Sequence, residues 1–172
     1  MRRLLLLRHA KSSWDDASLD DFERPLAARG RNDAPRMARY LWENDLLPDV
    51  ALCSPARRAA ETWEAVAPLL GGRVPVEYDR SLYMAAPSTL LRLVQSQPLE
   101  HSSVLVLGHN PGLEEAACRL VVDGSERDLE RMTLKYPTCA LAVIDFPCEL
   151  WGEVDWGQGR LQRFVRPRDL NG

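Results

Sequence analysis

An α/β fold, with helices on both faces of a mixed and mostly parallel sheet, is what this sequence predicts. Three observations predict it. Short apolar runs alternate with segments of helical period over the first two thirds of the chain. Two of those runs lead directly into a histidine, in LLLLRHAK at residues 4–11 and LVLGHNPG at residues 105–112. The last third turns to strand-like patterning alone. At 172 residues the chain matches one domain, taken as 1–172, and is long enough to bury a core.

Residues 3–8 predict a first strand, with Leu4–Leu7 as an unbroken apolar run. Residues 9–25 read as a polar loop rich in Asp, Ser and Arg. Leu26, Met37, Tyr40, Leu41, Leu46 and Leu47 recur among charges, which predicts an amphipathic helix over 26–46. Gly30 and Pro35 leave its start open, and Pro35 is best tolerated in a first turn. Residues 49–53 predict a second strand. Ser54 and Pro55 predict a helix start, with Ser54 as N-cap and Pro55 at the first position. Gly71-Gly72 predicts the stop after Leu70. Residues 74–78 predict a third strand, 87–97 a helix and 104–107 a fourth strand. Pro111 opens a further helix through Val122, ended by Asp123-Gly124. Residues 138–145 predict a strand. Residues 150–155 and 160–166 predict a hairpin around Gly157 and Gly159.

Composition narrows the class. The net charge of −3 offers no general attraction to nucleic acid or to an anionic membrane, and neither partner is expected. No segment approaches the roughly 18 apolar residues of a membrane span. The run Leu4–Leu7 is shorter than the about 7–15 residues of a signal-peptide core, so a cytoplasmic location is expected. Cys53, Cys118, Cys139 and Cys148 show no CxxC spacing and read as free, buried thiols rather than a disulfide or zinc framework. No segment stands out as an interface, and a monomer is expected.

The histidines carry the chemical argument. A histidine at the C-terminal end of a buried strand sits where open α/β sheets place their sites. Arg8 precedes His9. By itself this pair reads equally as a strand-end charge and a structural histidine. A second pair, Arg57 and Arg58, lies in SPARRAAET at 54–62, at another strand end and helix start. A helix N-terminus already favours anions. The two arginines point about a hundred degrees apart on a helix, so at most one faces a site there. Gly108 permits close backbone approach before His109, and Asn110-Pro111 starts the next helix. Three strand ends bearing histidine or arginine point to an anion site, with phosphate as the anion. His101, in a polar turn, reads as surface.

In this order and spacing the motifs resemble those of the histidine phosphatase superfamily, whose fold is phosphoglycerate mutase-like. Within it the chain resembles the small SixA-type phosphohistidine phosphatases. Arg8-His9 matches the hallmark RH word. Ser54, Pro55, Arg58, Ala59 and Thr62 match the second-arginine word SPxxRAxQT, with Glu61 in place of glutamine. His109 matches the second histidine. Asp21, Arg24, Pro25, Leu26 and Gly30 match the SixA-like stretch DxxRPLxxxG. The resemblance runs from residue 1 to about 145.

It implies a three-layer α/β/α architecture and a catalytic set of His9, Arg8, Arg58 and His109. His9 would be the nucleophile, Arg8 and Arg58 would clamp the phosphoryl oxygens, and His109 would donate from another side. Lys11 and Asn110 are expected as further substrate contacts. No metal or cofactor is implied. Two departures stand out. Met84 falls where larger members carry a glutamate acid, so that acid is missing or comes from Asp15, Asp16 or Asp21. Asp15 also replaces an asparagine of the mutase-like members. Asp21 and Arg24 read first as a salt bridge that fixes the loop, and Trp14 as a residue near the pocket.

The leading expectation is a cofactor-independent phosphatase acting on phosphohistidine in a partner protein, such as a phosphotransfer domain. An imidazole leaving group needs less proton assistance than an alkoxide, which suits a missing acid. The chain is also short for a lid over a small substrate. A small-molecule phosphomonoesterase of the same superfamily is the alternative. A non-catalytic phosphate-binding module is the third reading.

Overall fold

The computed structural model describes residues 1–171; Gly172, at the end of the expected 1–172 domain, lies outside the described residues. Seven strands form one sheet. They are β1 (Arg2–Arg8), β2 (Val50–Cys53), β3 (Val76–Tyr78), β4 (Ser103–Gly108), β5 (Val121–Gly124), β6 (Leu141–Phe146) and β7 (Gly159–Val165). Their order is β3-β2-β4-β1-β6-β7-β5. Four pairings are parallel, while β1–β6 and β6–β7 are antiparallel, so the sheet is mixed and mostly parallel.

The leucine run explains why β1 is central. Leu4 to Leu7 are all essentially inaccessible, as in a strand covered on both faces. Successive side chains of a strand point to opposite faces. Leu4 and Leu6 accordingly enter one core, with residues of α3 (Pro87–Gln95) and α4 (Gly112–Leu120). Leu5 and Leu7 enter the other, with residues of α1 (Ala28–Glu43) and α2 (Arg57–Val66). This is the expected three-layer α/β/α arrangement. Among the described residues no helix is long and apolar enough to cross a membrane.

The parallel register decides where the site forms. Arg8 pairs with Gly108, and Cys53 with Leu107. The chains leaving β1, β2 and β4 therefore emerge side by side, bringing His9, Ser54 and His109 together.

Several local expectations are corrected. Pro35 lies inside α1, beyond its first turn. The helix begins early because the loop ties it down: the Ala27 N–H donates to the Lys11 carbonyl at 2.8 Å, and Gly30 packs on the Lys11 backbone. Ser54 is not the N-cap of α2; Ala56 holds that position, and the Ser54 hydroxyl accepts the Ala56 N–H one turn earlier. Residues 67–70 tighten into a 3₁₀ turn before Gly71, whose φ of 78° ends the helical run. Val121–Gly124 leaves α4 as an edge strand, because β7 offers it a parallel partner.

A fifth helix, α5 (Glu126–Leu134), was not expected. Its Ser125 hydroxyl accepts the Asp128 N–H, a helix-start signature present in the sequence. The terminal hairpin does not form. Residues 151–153 are a 3₁₀ turn that packs inward, with Trp151 buried and donating to the His101 carbonyl. Only β7 is a strand, and it pairs with β6 and β5 instead. The four cysteines are free, but only Cys53 and Cys139 are buried; Cys118 is exposed.

Candidate active site

A pocket of about 210 Å³ opens where β1, β2 and β4 end. It is lined by four cations, Arg8, Lys11, Arg24 and Arg58, against the single carboxylate Asp21. Both histidines stand in it, with ring centroids 5.2 Å apart. Such a surplus of positive charge around two imidazoles suits a compact anion.

His9 is buried, and its Nδ1 lies 2.7 Å from the Ala10 carbonyl. A carbonyl only accepts, so Nδ1 carries the proton and Nε2 keeps a free lone pair. Burial pushes the His9 pKa down to about 3, helped by the charges of His109, Arg58 and Arg8 and opposed by the Ala10 carbonyl. The ring is therefore neutral near pH 7, as a nucleophile must be.

His109 is also buried and is likewise held at about 3, by desolvation first and then by Arg58. Its Nε2 lies 2.7 Å from the Ser54 hydroxyl. That hydroxyl already accepts the Ala56 N–H at 3.2 Å. Among the described residues the hydroxyl proton has no acceptor other than His109 Nε2, so it goes there, which puts the imidazole proton on Nδ1. His109 Nδ1 is buried and has no protein partner.

The arginines are held from behind. Arg8 Nη1 donates to the Tyr136 carbonyl at 3.0 Å, while its Nε is buried without a partner. Burial lowers the Arg8 pKa from its ordinary value. Arg58 is buried, donates to the Asp21 carbonyl at 2.6 Å and to the Asp21 carboxylate at 2.9 Å, and also leaves its Nε unpaired. Arg57 instead faces solvent and pairs with Glu61, so one arginine of the pair reaches the pocket. Thr62 locks this geometry: it donates to the Arg58 carbonyl at 2.7 Å and accepts the Ala10 N–H at 3.0 Å.

The other expected contacts differ. Lys11 lines the pocket. Asn110 lines it too, but its amide N–H groups go to the Tyr136 carbonyl and Glu114. Only its buried Oδ1 is unpaired, and that atom is an acceptor. Of the three loop carboxylates, Asp21 lines the pocket, whereas Asp15 and Asp16 do not. Asp21 does form the expected bridge to Arg24, at 3.1 Å. Its principal contacts are broader, because it also accepts from Arg58 and, at 2.6 Å, from the Tyr83 hydroxyl. These donors hold it ionised, at about 2 against a burial effect of opposite sign. Met84 lines the pocket beside Arg58, offering a thioether and no proton.

Sequence reasoning missed Ser54 and Thr62 as supports of the site, and it missed Tyr83. Tyr83 stands edge-on to His109 at 5.5 Å. Ser54 and Thr62 lay in the recognised SPARRAAET word, which could have flagged them; Tyr83 gave no motif signal. Among the described residues no group of three or more His, Cys, Asp or Glu side chains is placed to hold a metal ion.

The sequence profile of the histidine phosphatase superfamily (branch 1) matches residues 4–83. A solved structure from Agrobacterium tumefaciens, provisionally named phosphohistidine phosphatase SixA, is 30% identical and superposes with a TM-score of 0.81, covering 96% of this chain and 98% of that one. The chain belongs to the histidine phosphatase superfamily. A second provisionally named SixA, from Nakamurella multipartitia, is 26% identical, with a TM-score of 0.79 over 96% of each chain. An uncharacterised protein of Mycobacterium tuberculosis is 34% identical over 164 residues, covering 94% of this chain and 100% of that one. Within the superfamily the chain is of the SixA type, and it is a phosphatase. The phosphoglycerate mutase-like architecture expected of a histidine phosphatase is the architecture found.

Proposed function

We propose that this histidine phosphatase, residues 1–172 acting as one domain, hydrolyses phosphohistidine on a partner protein through a phosphohistidine intermediate at His9. The observation that carries the reading is the state of His9. Its Nδ1 is tied to the Ala10 carbonyl, and the neutral ring keeps its Nε2 lone pair beside Arg8, Arg58 and His109.

The chemistry balances without a cofactor. His9 Nε2 attacks phosphorus, forming an N–P bond as the N–P bond to the substrate imidazole breaks. The leaving nitrogen keeps the bonding pair, and its ring departs neutral after taking at most one proton from water. Water then attacks the phosphorus on His9, and phosphate leaves with His9 restored. Arg8, Arg58 and His109 line the pocket together, and their N–H groups supply the donors for the charge spread over the equatorial oxygens.

Two features support phosphohistidine over a phosphate ester. Met84 cannot donate a proton, and Asp21 is held ionised at about 2, so no strong acid faces the leaving group. An alkoxide needs that proton more than an imidazole does. A cytoplasmic setting accords with the four free cysteines, and we read the chain as a monomer.

The deciding experiment compares a histidine-phosphorylated protein with a panel of sugar phosphates, using ³²P label and acid-free trapping. Expected are preferred turnover of phosphohistidine and transient label on His9, lost in His9→Ala. Preferred turnover of sugar phosphates overturns the substrate. Phosphate binding with no label on His9 overturns the mechanism and favours a binding module.

A further inference from the structure

A second cleft, of about 360 Å³, borders the catalytic pocket, and Thr138 lines both. Four arginines wall it, Arg29, Arg36, Arg166 and Arg168, against one carboxylate, Asp33. This concentration of positive charge runs against a chain of net charge −3.

The four arginines divide into two pairs by what they touch. Arg36 pairs with the buried Asp33 at 3.1 Å and donates to the carbonyls of Pro167 and Leu170. Arg166 pairs with Asp169 through two nitrogens, at 2.9 and 2.8 Å. Arg36 thus holds the C-terminal segment on α1, and Arg166 braces the turn within that segment. Arg29 and Arg168 are exposed, and among the described residues neither has an ion pair or a side-chain hydrogen bond. They are donors that the fold itself does not use.

We propose that this cleft docks Asp or Glu side chains of the phosphoprotein substrate, next to the phosphate being removed. The proposal rests on the protein-substrate reading above. A pocket of about 210 Å³ holds little more than the phosphorylated side chain, so residues flanking it must lie on the adjoining surface. The arginine-walled cleft is adjoining surface, reached across Thr138. Guanidinium groups match carboxylates through paired N–H donors. Two free arginines suit a few carboxylates, whereas a nucleic acid would meet the net negative charge of the rest of the chain.

The test uses the full chain and the double variant Arg29→Glu/Arg168→Glu. Arg29 lies in the first turn of α1, where a glutamate complements the helix dipole, and Arg168 is exposed, so the variant keeps its fold. Neither residue lines the catalytic pocket. The probes are a fluorescent peptide with Asp and Glu flanking a histidine, and its Asn/Gln counterpart. Fluorescence anisotropy is expected to show the acidic peptide binding about tenfold more weakly to the variant, with the difference shrinking as salt shortens the screening length. The neutral peptide binds both alike. With the peptides phosphorylated on histidine, KM for the acidic one rises in the variant while kcat is unchanged. Equal binding of the acidic peptide to both proteins, or equal binding of both peptides to the unaltered chain, overturns the proposal. A binding difference without hydrolysis of phosphohistidine upholds the acidic-docking cleft and overturns the substrate reading instead.

Discussion

The Ser54 hydroxyl lies 2.7 Å from His109 Nε2 in a fully buried contact, and this one bond sets the tautomer of the second histidine. It puts the His109 proton on Nδ1, the atom without a protein partner. Ser54→Ala removes that control and also strands the Ala56 N–H. The expected drop in kcat/KM is on the order of tenfold, less than the 10²–10³ of deleting a donor outright. Thermal or denaturant unfolding should show a loss of about 1–3 kcal/mol. Unchanged kcat/KM would remove Ser54 from the site's machinery.

Both histidines keep pKa values of about 3 in the folded chain, against 6.5 for a free side chain, mainly because burial disfavours the imidazolium. Between pH 6.5 and about 3 the unfolded chain binds more protons than the folded one. Stability is therefore highest above pH 6.5 in respect of these groups and falls as pH drops toward 3. The acid limb of kcat/KM should likewise lie well below pH 6.5, since it reports the free enzyme. His109→Gln should flatten part of the stability slope in a chemical-denaturation series over this range. An acid limb centred on 6.5 would contradict the burial argument.

Arg58 and Arg57 are neighbours in sequence with opposite environments. Arg58 is buried in the pocket against Asp21, and Arg57 is outside, paired with Glu61. Arg58→Ala should lower kcat/KM by about 10²–10³. Arg57→Ala should leave it within about twofold, because an exposed pair contributes little. Asp21→Asn removes a negative charge that faces a bound phosphate and loosens the hold on Arg58. Phosphate should inhibit this variant more strongly while kcat falls, which a steady-state inhibition series would show.

Gly30 has no room for a side chain. A Cβ there would lie 2.2 Å from the Lys11 carbonyl oxygen and 2.9 Å from its nitrogen, both backbone atoms. Gly30→Ala must push the loop after His9 away from α1. Overpacking of this kind costs about 1–3 kcal/mol, measurable by equilibrium unfolding. Weaker phosphate binding should accompany it, because the same loop carries Lys11 and Ala10.

Residues 4–7 and 104–107 were legible as buried strands because unbroken apolar runs are what a doubly covered parallel strand requires. Arg8, His9 and His109 were legible as candidates because each stands at a strand end, whereas the choice of Arg58 over Arg57 came from the resemblance to the histidine phosphatase motifs. Pro35 was harder to place, since the contacts that start α1 early, at Ala27 and Gly30, come from the loop after β1. The segment 150–155 has the pattern of a hairpin arm, yet Trp151 found a core against α3 and left β7 to pair elsewhere. Competition between partners distant in the chain leaves no local trace.

The sequence by itself determined the class of fold, the buried first strand and, through the family motifs it resembles, the four residues that meet in the pocket. Local periodicity and strand-end chemistry are written into short words such as RHAK and GHNPG. Only the tertiary structure decided how those residues are held. The His9 tautomer depends on the Ala10 carbonyl, that of His109 on Ser54, and the position of Arg58 on Asp21, which Tyr83 holds in turn. The last two are pairings across tens of residues, made where separate strands and loops converge. Burial then set the protonation of both histidines, and burial is a property of the packed chain alone.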